Sequence, residues 1–261
     1  MLSLKQIEKQ YPESLRLFKR GILREYLQYK ILEIIFNSEF ANKLSFLGGT
    51  ALRLVYDNQR FSEDLDFDNF GLTEPEFKIM AEKIKLGLEA QSIKTQINVS
   101  AKGAYRCNVR FPDLLFGEGL SPHQGEKILI HIDTASHDFF YRPLEKVINK
   151  FDVFAEIFTT PPDILLSQKI FAIFNRKRAK GRDFYDLVFL MSFAKPNYDY
   201  LKVKIGVSDF DQLKAKLIKI SQELDFEELV RDVQIFLFNP KDDKKIKLFL
   251  PYIKSLEMRR S

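Results

Sequence analysis

"FLGGTALRLVYDNQRFSEDLDFDNF", residues 46–70, holds a glycine pair, Gly48-Gly49, and a run in which Asp64, Asp66 and Asp68 alternate with Leu65 and Phe67. Successive side chains of a β-strand point to opposite faces, so the three aspartates share one face, ~6.6 Å apart at a rise of ~3.3 Å per residue. Carboxylates that close repel, and one is driven to protonate unless a cation lies between them. A divalent ion removes the repulsion, and oxygen donors favour magnesium, manganese or calcium over zinc. The rival reading is a solvated edge strand, which is what an isolated D-x-D usually marks. The glycines shift the balance. They lie between a short apolar strand over 43–47 and a helix over 50–56 with Thr50 as its N-cap, where they let backbone approach a ligand closely. The helix N-terminus then offers N–H groups and a positive dipole to an anion. A phosphate cradle beside a metal-holding strand is the layout a nucleoside triphosphate needs; a plain tight turn is the alternative.

Outward from this segment, Leu15, Phe18, Ile22, Tyr26 and Tyr29 recur at helical spacing and predict a long helix over 12–37. A second helix is predicted over 74–90. Strands are predicted over 63–68, 93–100, 104–111 and 126–134, with a Gly/Pro-containing loop over 112–125. In "ILIHIDT" (128–134), Ile128, Ile130 and Ile132 point one way and Leu129, His131 and Asp133 the other. His131 reads as a packing residue. An aspartate ending a buried strand is costly unless paired or ligating. Asp133 is therefore a candidate third carboxylate, either completing a two-metal site with ions ~3.5–4 Å apart or accepting the proton of an attacking hydroxyl.

Past Pro161-Pro162 the pattern turns helical, with helices predicted over 163–178, 182–194, 209–224, 226–238 and 244–258. The fold class is α+β: a mixed-sheet N-terminal domain over 1–160 and an all-helical C-terminal domain over 161–261. Forty-five per cent hydrophobic residues, 25 of the 261 being Phe, supply an ordinary globular core. Cys107 is the single cysteine, which excludes an intrachain disulfide and a cysteine zinc site. The N-terminal "MLSLKQIEKQYPESLRLFKRG" lacks a signal-peptide apolar core. No apolar run approaches the ~20 residues that span a bilayer. The expectation is a soluble, cytoplasmic protein with no membrane partner. The net charge of +5, from 41 basic against 36 acidic residues, fits a nucleic-acid or nucleotide partner, and equally a basic protein that binds nothing anionic.

The residues G-G-T-A-L-R at 48–53, followed by R-F-S-E-D-L-D-F at 60–67, resemble the AbiEii/AbiGii toxin family of nucleotidyltransferases, within the polymerase-β-like nucleotidyltransferase superfamily. The superfamily pattern is a glycine turn, a D-x-D about a dozen residues on, and a third carboxylate on a later strand, a place that Asp133 matches. A second block, "LLSQKIFAIFNRKRAKGRDFYDLVFL" (165–190), is similar to the family in its lysine, arginine and R-D-x-x-D element. The two blocks span most of 46–190, and nothing beyond 195 is similar. The resemblance implies a nucleotidyltransferase fold for the N-terminal domain. It also implies a transferase using Mg²⁺ or Mn²⁺ to move a nucleoside monophosphate from an NTP onto an acceptor hydroxyl. The implied acceptor is RNA, tRNA ends among them, and the implied role is the toxin of a bacterial toxin–antitoxin or abortive-infection pair with a cognate antitoxin as partner.

The implied roles fall on particular residues. Asp64, Asp66 and Asp133 hold metal; Gly48, Gly49 and Thr50 cradle phosphate. The predicted helix 163–178 sets Lys169, Ile173, Arg176 and Lys177 near one face, presenting cations to a triphosphate; the rival reading is a solvated, salt-bridged helix. Family members use such a lysine and aspartate at the active site, which favours Lys169 and Asp183 as catalytic, with Asp183 orienting a cation. Arg182 and Asp186 stand at i,i+4 and can pair. Arg60 and Ser62 either contact phosphate or pin the loop, and Asp68 reads as structural. Two rivals stand beside the transferase reading: a nucleotide-binding regulatory module without turnover, and a transferase acting on a small cationic molecule of the aminoglycoside kind. The basic stretch 169–178 disfavours the second.

Overall fold

The computed structural model describes residues 1–101, 103–136 and 139–257. They form two compact units, one of Met1–Asp57 with Phe61–Thr160 and one of Asn58–Arg60 with Pro161–Ser261.

The first unit is built on a seven-stranded mixed sheet among the described residues. Its strands are β1 (Leu44–Leu47), β2 (Leu65–Asn69), β3 (Gln96–Ser100), β4 (Tyr105–Phe111), β5 (Ile128–Ser136), β6 (Leu144–Lys150) and β7 (Val153–Thr159). The spatial order is β3-β4-β5-β2-β1-β7-β6. Parallel pairing joins β2 to β5 and β1 to β7, and the other neighbours run antiparallel. Of the β6–β7 hairpin, β6 carries no clear alternation, since Leu144–Lys150 is exposed at nearly every position, whereas β7 buries Val153, Ala155, Ile157 and Thr159 in strict alternation.

Two long helices belong to this unit. Lys19–Phe36 buries apolar side chains on every face, including Ile22, Leu23, Tyr26, Leu27, Ile31 and Leu32, as a helix enclosed by protein must. It starts seven residues later than the predicted 12–37, because Glu13–Leu15 forms a separate 3₁₀ turn after Pro12. Glu74–Ala90 lies where its sequence placed it. Thr73 and Glu76 cap it reciprocally, with the Thr73 N–H donating to Glu76 Oε2 at 2.9 Å. Its buried stripe is Phe77, Met80, Ala81, Ile84 and Leu88, each large member worth ~1.5–3 kcal/mol of burial.

The second unit is helical apart from an isolated bridge between Arg60 and Leu237. Its longer helices are Pro162–Asn175, Gly181–Met191, Tyr198–Ile205, Phe210–Ser221 and Phe226–Gln234. Phe184, Phe226 and Phe249 form its aromatic centre, with Phe184 edge-on to Phe249 at 4.9 Å. A Cβ on Gly181 would strike the Leu229 carbonyl oxygen, so this glycine permits close approach of Gly181–Met191 to Phe226–Gln234. The predicted helix 244–258 is instead two short helices, Lys244–Lys247 and Phe249–Ser255, the second containing Pro251; Met258 lies outside the described residues. Among the described residues, no helix is long and apolar enough to cross a membrane.

Candidate active site

Strand register assembles the first group of candidates. Asp66 on β2 is the Cα partner of Asp133 on β5, and neighbouring strands lie ~4.8 Å apart. On the other side of Asp133, Arg106 of β4 is its register partner. Beyond Asp66 comes Leu47, the last residue of β1, followed at once by Gly48. A single row therefore crosses four strands, reading Arg106, Asp133, Asp66, Leu47. Asp64 sits in the segment leading into β2, two residues before Asp66 and partly exposed.

The glycine turn belongs to this row. Gly48 has φ +79°, a left-handed conformation that costs other L-residues ~1–2 kcal/mol. A Cβ there would collide with Asp66 Oδ2. Gly48 thus supplies both the turn and the space in which the Asp66 carboxylate sits. The helix Gly48–Tyr56 starts at the glycines themselves, with Leu47 as N-cap and no side chain capping it. This corrects the expectation that Thr50 is the N-cap: Thr50 lies within the first turn, and its hydroxyl donates to the Asp64 backbone carbonyl, tying the helix to the segment that enters β2. The uncapped first-turn N–H groups leave the helix start open to an anion.

Asp133 is held by a cation. Arg106 donates from Nε to Oδ1 at 2.6 Å and from Nη2 to Oδ2 at 2.9 Å. The hydrogen bonds it donates to Asp133, then the charges of Asp133, Asp64 and Asp66, push the guanidinium pKa up. Asp68 is buried and accepts from the Tyr141 hydroxyl at 2.5 Å; burial and the Asp68 charge push that phenol well up. Asp68 therefore anchors the strand, as its sequence position implied. His131 Nδ1 lies 2.6 Å from Asn108 Oδ1, a satisfied packing contact. The three carboxylates are all hard oxygen donors, and a guanidinium already stands in as cation among them, so their chemistry fits a divalent ion. Among the described residues, no three acidic, histidine or cysteine side chains are drawn together as a preformed metal cluster.

The second group lies in the helical unit. Lys169 Nζ is 3.1 Å from Asp183 Oδ1 and 2.9 Å from Asp186 Oδ2. Burial alone would lower the lysine pKa, but Asp186 and Asp183 outweigh it and raise it. Asp186 is fully buried. It accepts from Asn58 Nδ2 at 2.8 Å and from Arg60 Nε at 2.7 Å and Nη2 at 2.6 Å. Burial favours its neutral form, yet Arg60 and Lys169 hold it ionised, down to about 2. Asp183 does hold Lys169, as the sequence proposed.

Three expectations change here. Asp186 pairs with Arg60 and Lys169 rather than with Arg182, whose guanidinium lies over the Phe236 ring at 5.7 Å. Arg60 is 1% exposed and spent on Asp186, a placement that pins structure rather than presents a phosphate contact. Arg176 and Lys177 do not share a helical face with Lys169, because the helix ends at Asn175 and Arg176 is extended; Arg176 reaches Asp183 instead, Nε to Oδ2 at 2.9 Å. Ser62 lends its backbone carbonyl to Gln28 Nε2 at 3.0 Å.

Two features escaped the sequence reading. Arg106 was detectable in principle, since Arg106, Asn108 and Arg110 alternate with Cys107, Val109 and Phe111, and pairing this strand with 126–134 puts Arg106 beside Asp133. The other is a buried charge cluster in the first unit. Glu25, 2% exposed, accepts from Arg53 Nε at 2.9 Å, Lys150 Nζ at 2.7 Å and the Tyr11 hydroxyl at 2.8 Å. Nothing local signals it, because its members lie on the two long-separated stretches 11–53 and 150.

The model of one protein family, described as "Nucleotidyl transferase AbiEii toxin, Type IV TA system", matches residues 30–258. Solved structures similar in fold include two that align over most of both chains. JHP933 from Helicobacter pylori is 19% identical with a TM-score of 0.55, covering 90% of this chain and 91% of its own. MenT4, a nucleotidyltransferase toxin from Mycobacterium tuberculosis H37Rv, is 15% identical with a TM-score of 0.57, covering 98% of this chain and 91% of its own. No curated protein matches significantly.

Proposed function

Because the chain belongs to the family of AbiEii nucleotidyl transferase toxins of type IV toxin–antitoxin systems, we propose that its Asp66–Asp133 row is a divalent-cation site at which a nucleoside monophosphate passes from an NTP to an RNA hydroxyl. It is a nucleotidyltransferase; the metal, the RNA acceptor and the residues in their roles are the proposal. The observation that carries it is the register pairing of Asp66 with Asp133 beside the uncapped helix start at Gly48.

Asp64, Asp66 and Asp133 would hold Mg²⁺ or Mn²⁺, which when bound supplies charge neutralisation for the triphosphate and the departing pyrophosphate. The first-turn N–H groups of Gly48, Gly49 and Thr50 bind phosphate oxygens, and the missing Gly48 Cβ lets the Asp66 carboxylate sit against that turn. Asp133 orients the acceptor hydroxyl and accepts its proton as the oxygen attacks the α-phosphorus and the bond to pyrophosphate breaks. The chain thus works by positioning and fixed charge. Lys169 and Asp183 are proposed as the helical unit's catalytic pair, on the strength of their match to the family block. The net charge of +5 suits an RNA acceptor. A cognate antitoxin and a bacterial cytoplasmic setting follow from the family.

The test is to incubate purified protein with each labelled NTP, total RNA and Mg²⁺, with Asp66→Ala as control. Label on RNA that needs Asp66 is the expected result. Absence of label on RNA, protein or small acceptors would favour a nucleotide-binding module without turnover. Label on an aminoglycoside in place of RNA would favour a small-molecule transferase.

A further inference from the structure

The row that holds the carboxylates ends in a residue to which the family match assigns no role. Arg106 forks onto both oxygens of Asp133. Unlike the buried bidentate pair of Arg60 and Asp186, it is open to solvent: 57% and 31% side-chain exposure for Arg106 and Asp133, against 1% and 0% for Arg60 and Asp186. The difference decides what each pair can do. A buried pair cannot release one partner without stranding a charge, whereas an exposed pair contributes little and exchanges readily. The guanidinium is also close enough to Asp64 and Asp66 to feel their charge, and the Asp133 it grips is the register partner of Asp66.

We propose that Arg106 is an exchangeable counter-cation: it holds Asp133 while the site lacks a divalent ion, leaves when one binds, and then grips the anionic oxygens of the incoming triphosphate. The inference rests on the reading of Asp64, Asp66 and Asp133 as the metal site. The chemistry of the second step is that of the first. The fork that spans the two oxygens of a carboxylate spans two oxygens of a phosphate equally well. Asp133 is partly exposed and only one strand away, so release needs a side-chain rotation and no rearrangement of β4. Charge favours the order. With Arg106 present, three aspartates retain a net −2, which one divalent ion neutralises, and the triphosphate then brings fresh negative charge that a freed guanidinium meets.

The experiment is two calorimetric titrations of the full chain. Mn²⁺ alone is titrated into wild type, Arg106→Gln and Asp66→Ala, and each NTP is then titrated in saturating Mn²⁺. The proposal expects Arg106→Gln to bind Mn²⁺ threefold to tenfold more tightly than wild type, because the competitor is gone, and NTP at least tenfold more weakly. Unchanged or weaker Mn²⁺ binding, or unchanged NTP affinity, overturns it. Asp66→Ala separates the two levels. If that variant binds Mn²⁺ like wild type, the metal reading itself fails and takes the exchange with it; if it loses Mn²⁺ while Arg106→Gln matches wild type, only the exchange fails. Arg106→Thr, a good strand former, carries the same expectations should the glutamine variant fold poorly.

Discussion

Replacing Asp186 by Asn should be among the most damaging single-atom changes in the helical unit. The side chain keeps its shape but loses the charge that faces Arg60 at 2.6 Å and Lys169 at 2.9 Å. Both Arg60 and Asp186 are essentially inaccessible to water, so solvent cannot replace what is lost. Breaking a buried pair from one side costs ~3–5 kcal/mol, since it leaves an uncompensated buried charge. Asn58 and Asp183 soften the loss only partly: the first is neutral, and the second already serves Lys169 and Arg176. At ~2–4 °C per kcal/mol for chains of this size class, the midpoint should fall by about 10 °C. Scanning calorimetry reads this directly. The double variant Arg60→Met/Asp186→Leu supplies the stricter check, because replacing both charges by apolar groups of similar volume is often neutral, so it should recover most of the loss. A fall of less than about 1 kcal/mol for Asp186→Asn, or a double variant no better than the sum of the singles, would show that the cluster does not carry the energy assigned to it.

Acid should weaken the same cluster in a defined window. The Asp186 carboxyl is held at about 2 instead of 3.8, so its contribution is complete above the unfolded value and is lost as pH falls from about 4 through about 2. At ~1.36 kcal/mol per pH unit this amounts to about 2 kcal/mol, and denaturant melts of wild type between pH 5 and pH 2 should show that slope reduced in Asp186→Asn. Gly48→Ala should cost ~1–2 kcal/mol from backbone strain alone; by displacing the Asp66 carboxylate it should also weaken Mn²⁺ binding about tenfold, and an unchanged calorimetric titration would count against the packing of Gly48 on Asp66. Glu25→Gln should cost ~3 kcal/mol or more by stranding Arg53 and Lys150, measured by urea denaturation; a loss within error would make the cluster incidental. Burial pushes the Cys107 thiol up to about 12, so native protein at pH 8 should not react with a disulfide reagent until denaturant is added, and prompt release of one equivalent would contradict that burial.

How far the sequence could be read depended on how local each signal was. Asp66 and Asp68 announced a shared face because strand alternation needs only adjacent residues, although the strand starts at Leu65 and not at the predicted 63, leaving Asp64 ahead of it; Glu74–Ala90 announced itself through Thr73, Glu76 and a helical apolar stripe. The helix predicted to begin at Thr50 in fact begins at Gly48, because one left-handed glycine makes the turn and frees the threonine to hold Asp64. Lys169 and Arg176 looked like one cationic face only while the helix was assumed to run past Asn175. The edge strand β6 stayed hidden because an exposed strand has no apolar rhythm to detect; β7, interior to the sheet, does alternate, with Val153, Ala155 and Ile157 buried between more exposed positions.

The chain's own order of residues determines the chemistry available here: hard oxygen donors at alternate positions, a diglycine beside them, one lone thiol, and a family motif that names the reaction. Only the tertiary structure decides which charges meet. That Asp66 faces Asp133, that Arg106 claims Asp133, and that Arg60 leaves its neighbours in the motif to join Asp186 in the helical unit are outcomes of strand register and burial. The physical reason is the range of the forces: alternation and capping act over a few residues along the chain, whereas pairing across a sheet and ion pairing in a low-dielectric interior join residues from 27 to 126 positions apart and exist only once the chain has folded.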